Sequence, residues 1–167
     1  ALAAEAARHG GIYVTHMRSE ADQLLEALAE TLEIGRRAAA PVEIYHLKAA
    51  GRRNWHKFPS AIAMIDSARA AGLDVTANVY PYTAAGTGLT ACLPPWTAEG
   101  GRLYETLADL AARERIRSEI LAADTATADW ENWCLLARPE GTLIVDTRRP
   151  EHAPLQGRTL ADIARDR

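Results

Sequence analysis

His16 closes the stretch "GIYVTH" (11–16) and His46 closes "APVEIYH" (40–46), each after a run rich in apolar and β-branched residues. A neutral imidazole can ligate a metal, move a proton or simply hydrogen bond. One histidine at a strand end reads as an ordinary core or surface group. Two at equivalent ends of successive strands, 30 residues apart and with Lys48 two positions after the second, read as the start of a shared site. Neighbouring parallel strands lie about 4.8 Å apart, so both rings could reach one metal ion at Zn–N distances of about 2.0–2.1 Å. Strand alternation predicts that Ile12, Val14 and His16 share a face, and that Val42, Ile44, His46 and Lys48 do the same. In "LDVTANVYPY" (73–82) the same parity groups Thr76, Asn78, Tyr80 and Tyr82. A tyrosine at that end of a strand could donate to a carboxylate, or could equally rim the core. His9, His56 and His152 fall in loop or helix-end contexts and read as ordinary surface residues.

The elements that must position these groups follow from periodicity. "ALAAEAARHGG" reads as the end of a helix stopped by Gly10–Gly11. Ser19 is a candidate N-cap for a helix with Leu24, Leu25, Leu28 and Leu32 on one stripe. Pro59–Ser60 opens another, with Ile62, Ile65 and Ala68 on a face and Gly72 at its end. Strands of 6–10 residues alternating with such helices predict βαβ units and a parallel sheet, with both histidines at the C-terminal strand ends where α/β proteins place ligands. The second half differs. A loop rich in Gly, Thr and Pro (83–96) precedes a charged amphipathic helix over about 101–122, with Leu103, Leu107 and Leu110 on one side. "WENWCLLARPEGTLIVDT" (130–147) suggests two short strands around a Pro-Glu-Gly turn. "GRTLADIARDR" (157–167) starts a final helix.

Composition narrows the classes. The chain has 167 residues, 48% hydrophobic and 25% charged, which suits one soluble globular domain or a piece of a larger one. Its net charge of −3, with arginines dispersed among acids, gives no sign of a nucleic-acid partner. No apolar run approaches the roughly 20 residues of a membrane span, and no signal peptide is evident. Cys92 and Cys134 form no CxxC pair and fit a reducing, cytoplasmic setting.

Four segments, "GGIYVTHMRSE" (10–20), "VEIYHLKAAGRRNW" (42–55), "DVTANVYPYTAAGTGLTACLPPW" (74–96) and "GRTLADIA" (157–164), resemble the N-acyl-D-amino-acid deacylases, or D-aminoacylases, of the amidohydrolase superfamily. Residues 97–156 match only loosely. The resemblance implies an α/β fold: a partial (β/α)8 TIM-type barrel, about strands 5 to 7, over residues 1–82, followed by a mixed lid-like insertion over 83–167. It implies zinc as cofactor, His16 and His46 as metal ligands, and Lys48 and Tyr80 as substrate-binding residues. The implied substrate is an N-acyl-D-amino acid, whose amide is hydrolysed. Trp96, Trp130 and Trp133 are expected to pack core or lid. The family's H-x-H pair, cysteine metal ligand and catalytic Asp have no counterpart here; Asp162 sits in a helical pattern. No catalytic residue is therefore expected in this chain. It reads as an internal fragment that is inactive alone, completed by a missing barrel half or by a homo-oligomer. A non-catalytic binding or scaffold remnant of the fold is the alternative, and a dihydroorotase- or dipeptidase-like enzyme ranks below both. Tyr45 is expected to point away from the pore, and Asn78 stands where the family commonly has Asp.

Overall fold

A computed structural model describes residues 1–122 and 130–166. Two compact units divide the chain, Ala1–Ala85 and Gly86–Arg167.

The first unit begins with α1 (Leu2–Arg8), then alternates β1 (Tyr13–Thr15), α2 (Leu24–Ala38), β2 (Val42–Ile44), α3 (Phe58–Ala70) and β3 (Val75–Ala77). The three strands pair in parallel in the order β1-β2-β3. Leu24, Leu28 and Leu32 of α2, with Ala61, Ile65 and Ala68 of α3, close over Val42, Ile44 and Val75 in one hydrophobic core. Tyr13 pairs with Val42 and Val42 with Val75, so these residues line the helix-covered face. Val14, Glu43 and Thr76 form the next row, on the opposite face.

Several boundaries differ from the sequence expectation. Ser19 does not cap α2. Its hydroxyl accepts from the backbone N–H of Gln23 at 3.1 Å and organises the turn before the helix, which starts at Leu24. The buried stripe of α3 is Ala61, Ile65 and Ala68, whereas Ile62 is exposed. β3 ends at Ala77, well short of Tyr82; Pro81 has no N–H with which to continue a ladder. Gly72 follows α3 at φ +89°, where a Cβ would be strained.

The second unit is mostly helical. Instead of one helix over 101–122 there are two, α4 (Leu103–Ala108) and α5 (Leu110–Ala122). Asp109 is extended, and its carboxylate accepts from the N–H of Ala111 at 2.9 Å, so it starts a new helix and leaves Leu110 exposed. The expected hairpin over 130–147 is also replaced. Asn132, fully buried, accepts from Leu135 N–H and donates to the Ile120 carbonyl, which caps α6 (Trp133–Gly141). α6 leaves helical geometry at Arg138, the residue before Pro139, where proline disfavours the α conformation. Leu143 instead makes an isolated antiparallel bridge to Thr159. α7 (Leu160–Arg165) opens with a reciprocal capping box between Thr159 and Asp162, whose carboxyl the Thr159 hydrogen bonds hold below its ordinary range. Trp96 is half-buried, its indole donating to Glu119 at 2.7 Å under the Arg115 guanidinium.

Gly35 lies in the middle of α2, where a Cβ would run into Val42 Cγ2 and sit 3.3 Å from Leu73 Cδ1. The helix and strand can approach only because that position has no side chain. Gly35→Ala is expected to lower stability by about 1–3 kcal/mol through overpacking, outweighing the roughly 1 kcal/mol that alanine gains in helix propensity. Denaturant unfolding measures the balance.

Candidate metal centre

Every group of interest lies just past the C-terminal end of a strand in the first unit. His16 directly follows β1, His46 lies two residues beyond β2, and Asn78 one beyond β3. The rings of His16 and His46 meet edge to face, with His16 Nδ1 2.9 Å from His46 Nε2.

Simple alternation does not produce that meeting. Val14 neighbours Glu43, not Val42, so His16 continues the row opposite to the face of Val42 and Ile44. Extended to His46, β2 would carry its ring to the helix side. The chain instead turns at Tyr45 and His46, and His46 adopts φ +40°. A left-handed conformation is uncommon for a residue with a Cβ. Two backbone hydrogen bonds hold it: Tyr45 N–H donates to the Thr15 carbonyl at 2.9 Å, and His46 N–H donates to Asn78 Oδ1 at 2.6 Å. Asn78 is oriented in turn by donating to Glu43 at 2.8 Å, and Thr76 donates to the same carboxylate. Tyr45 is exposed, with its ring 6.4 Å from that of His46.

Behind the rings sits Glu20, only 2% exposed. Its Oε1 lies 2.7 Å from His46 Nδ1 and its Oε2 2.5 Å from Lys48 Nζ. Lys48 Nζ is also 2.8 Å from His46 Nδ1. The backbone fixes Glu20 as well, through Ala50 N–H donating to its carbonyl at 2.7 Å. Lys48 reaches toward the ring of Tyr80, 5.7 Å from its centroid. Burial, then the charge of Glu20, pushes the Tyr80 phenol above its ordinary range, so it stays protonated and can donate at neutral pH. Tyr82 stacks on Tyr80 at 6.4 Å. His16, His46, Lys48 and Tyr80 are thus brought into one neighbourhood, and Glu20 is the residue that sequence reasoning missed.

His16, Glu20 and His46 each offer a ligand atom within 4.8 Å of the others. Imidazoles are donors that zinc accepts at about 2.0–2.1 Å, and two of them, from His16 and His46, leave positions open in its tetrahedral geometry. The residues present therefore fit a zinc ion. Cys92 and Cys134, free thiols raised in pKa by burial, belong to the second unit and not to this donor set.

No family model matches the chain. An N-acyl-D-glutamate deacylase from Alcaligenes xylosoxydans xylosoxydans is 41% identical over 81 residues, which cover 48% of this chain and 17% of that protein. Among solved structures, the N-acyl-D-glutamate deacylase of Bordetella bronchiseptica, complexed with zinc and a phosphonate inhibitor, superposes with a TM-score of 0.63 at 25% identity. That match covers 99% of this chain and 26% of the other. This chain is similar to part of the N-acyl-D-amino-acid deacylases. A D-aminoacylase structure that defines a novel subset of amidohydrolases matches with a TM-score of 0.59 at 29% identity, over 98% of this chain and 25% of that one. The chain spans about a sixth to a quarter of the length of these proteins. Among its described residues, no helix is long and apolar enough to cross a membrane.

The Glu20–Lys48 pair is largely withdrawn from solvent, with side chains 3% and 17% exposed. Lys48→Met removes the ammonium from a buried carboxylate, which is expected to cost about 3 kcal/mol. The double variant Glu20→Gln/Lys48→Met is expected to recover part of that loss, because no charge is then left uncompensated. A double-mutant cycle in denaturant reads the difference.

Proposed function

We propose that this chain is part of a zinc-dependent amidohydrolase that cleaves the amide of N-acyl-D-amino acids, and that its own share of the work is metal and substrate binding. The observation that carries the reading is the convergence of two imidazoles, His16 and His46, beside an ammonium at the C-terminal edge of a parallel sheet. Similarity to N-acyl-D-glutamate deacylases supports the substrate class. On this reading β1, β2 and β3 are the fifth to seventh strands of a (β/α)8 barrel, and residues from 83 onward belong to a lid-like insertion.

His16 and His46 would hold the metal. Bound there, zinc would supply Lewis acidity toward an amide carbonyl and toward water. Lys48 carries the recognition of negative charge. Its ammonium has three donors; Glu20 takes one of them, and another can take a substrate carboxylate. Because Lys48 is already held in place, little side-chain freedom is lost when the anion arrives. The protonated phenol of Tyr80, beside Lys48, adds a neutral donor for the same group or for the acyl oxygen. Glu20 is held against Lys48 through Oε2 and lies 2.7 Å from His46 through Oε1, and we assign no proton-transferring carboxylate to this chain.

The test uses a protein of the relatives' full length that carries this segment. His16→Ala and His46→Ala are each expected to lower kcat/KM for an N-acyl-D-amino acid by roughly a thousandfold or more, the scale of several kcal/mol of lost charge stabilisation. Lys48→Ala is expected to raise KM about tenfold or more, with a smaller effect on a substrate whose carboxylate is esterified. Steady-state kinetics on both substrates gives the answer, and full activity in both histidine variants would overturn the reading.

A further inference from the structure

Glu20 has no assigned part in the proposed reaction, yet it is the most buried polar group of the site at 2% exposure. Burying a carboxylate is costly unless it is paired, so its position calls for a reason. Two roles fit its chemistry: a third metal ligand, or a support for the residues around it.

The direction of the His46 ring separates these roles. The two ring nitrogens point away from each other. Nε2 faces His16 Nδ1 at 2.9 Å, whereas Nδ1 lies 2.7 Å from Glu20 Oε1, a close charge contact off the line of a hydrogen bond. An ion shared by the two histidines therefore lies on the Nε2 side, and Glu20 lies behind the ring. Its other oxygen is taken by Lys48.

The proton on His46 matters equally. Lys48 Nζ lies 2.8 Å from Nδ1 and can only donate. When it does so, the ring proton must sit on Nε2, where it blocks a metal. Glu20 Oε1 can only accept when ionised, and it draws the proton to Nδ1, freeing the Nε2 lone pair. Two opposed neighbours thus compete for one nitrogen, and a metal ion at Nε2 is compatible only with the arrangement that Glu20 favours. A carboxylate behind a ligating histidine fixes its tautomer and raises its basicity.

We propose that Glu20 is a positioning residue of the metal centre: Oε1 holds His46 with its proton on Nδ1 and presents Nε2 to the metal, while Oε2 anchors Lys48 for the substrate anion. One carboxylate thereby ties metal loading to the placement of the anion-binding ammonium. The inference rests on the reading of His16 and His46 as metal ligands.

Zinc affinity of a protein of the relatives' full length that carries this segment, titrated against a competing chelator, tests both levels. Circular dichroism checks the fold, and 15N NMR of the ring nitrogens reports the tautomer. Zinc binding that is weakened in His16→Ala and in His46→Ala is the premise; binding by the full-length protein that neither substitution changes overturns the ligand reading and this inference with it. Given that premise, folded Glu20→Gln is expected to bind zinc 10–100-fold more weakly. Zinc-loaded wild-type protein is expected to show the His46 proton on Nδ1 and the metal on Nε2. Affinity within threefold of wild type in folded Glu20→Gln, or ligation of His46 through Nδ1, overturns the role of Glu20 alone. Should Glu20→Gln not fold, Glu20→Gln/Lys48→Gln compared with Lys48→Gln isolates the same carboxylate, with the same tenfold expectation and the same threefold limit.

Discussion

Glu20 places a carboxylate out of water between an imidazole and an ammonium, and the arrangement of the sheet edge follows from keeping that charge compensated. Desolvation is the dominant cost at such a position, and it is offset only when both oxygens are met at hydrogen-bonding distance. That requirement fixes where Lys48 may lie and which way His46 may face. It also limits what the loop before α2 can do. Ser19 shapes the turn with its hydroxyl, and Ala50 reaches across to hold the Glu20 carbonyl. The polar end of the sheet is therefore as tightly specified as the apolar core beneath it, though by different forces.

The core and the site place different demands on β2. Val42 and Ile44 must face the helices, where Gly35 makes room for them. His46, two residues later, must face the other way. The left-handed turn resolves the conflict within two residues, at a backbone cost of about 1–3 kcal/mol for a residue with a Cβ. Hydrogen bonds from Tyr45 to Thr15 and from His46 to Asn78 offset part of that cost.

Much of the fold was legible because periodicity reports burial directly. The leucine stripe of α2, the apolar runs of β1 and β2, and the stop at Gly72 all depend on local spacing and local φ. The positions of His16 and His46 at strand ends were legible for the same reason. Their meeting was not correctly derivable from parity, since parity assumes an extended chain and the relevant backbone is a turn. Glu20 stood in plain view at the end of the family-like segment T-H-M-R-S-E, but its burial depends on Lys48, 28 residues away. The second unit misled for a related reason. Asn132 and Asp109 act as helix caps, and a single side-chain hydrogen bond at each decides helix against strand, or one helix against two.

The bond between His46 N–H and the Asn78 side chain has a mechanical meaning. Asn78 follows β3 and is pinned to Glu43 of β2. His46 sits in the turn just past β2, so its ring direction is set by whatever holds its backbone. A small slide of the β3 end along its neighbour would pull on that N–H and tilt the imidazole. The end of the third strand thus helps set the aim of the second histidine, through the one side chain that accepts its backbone N–H.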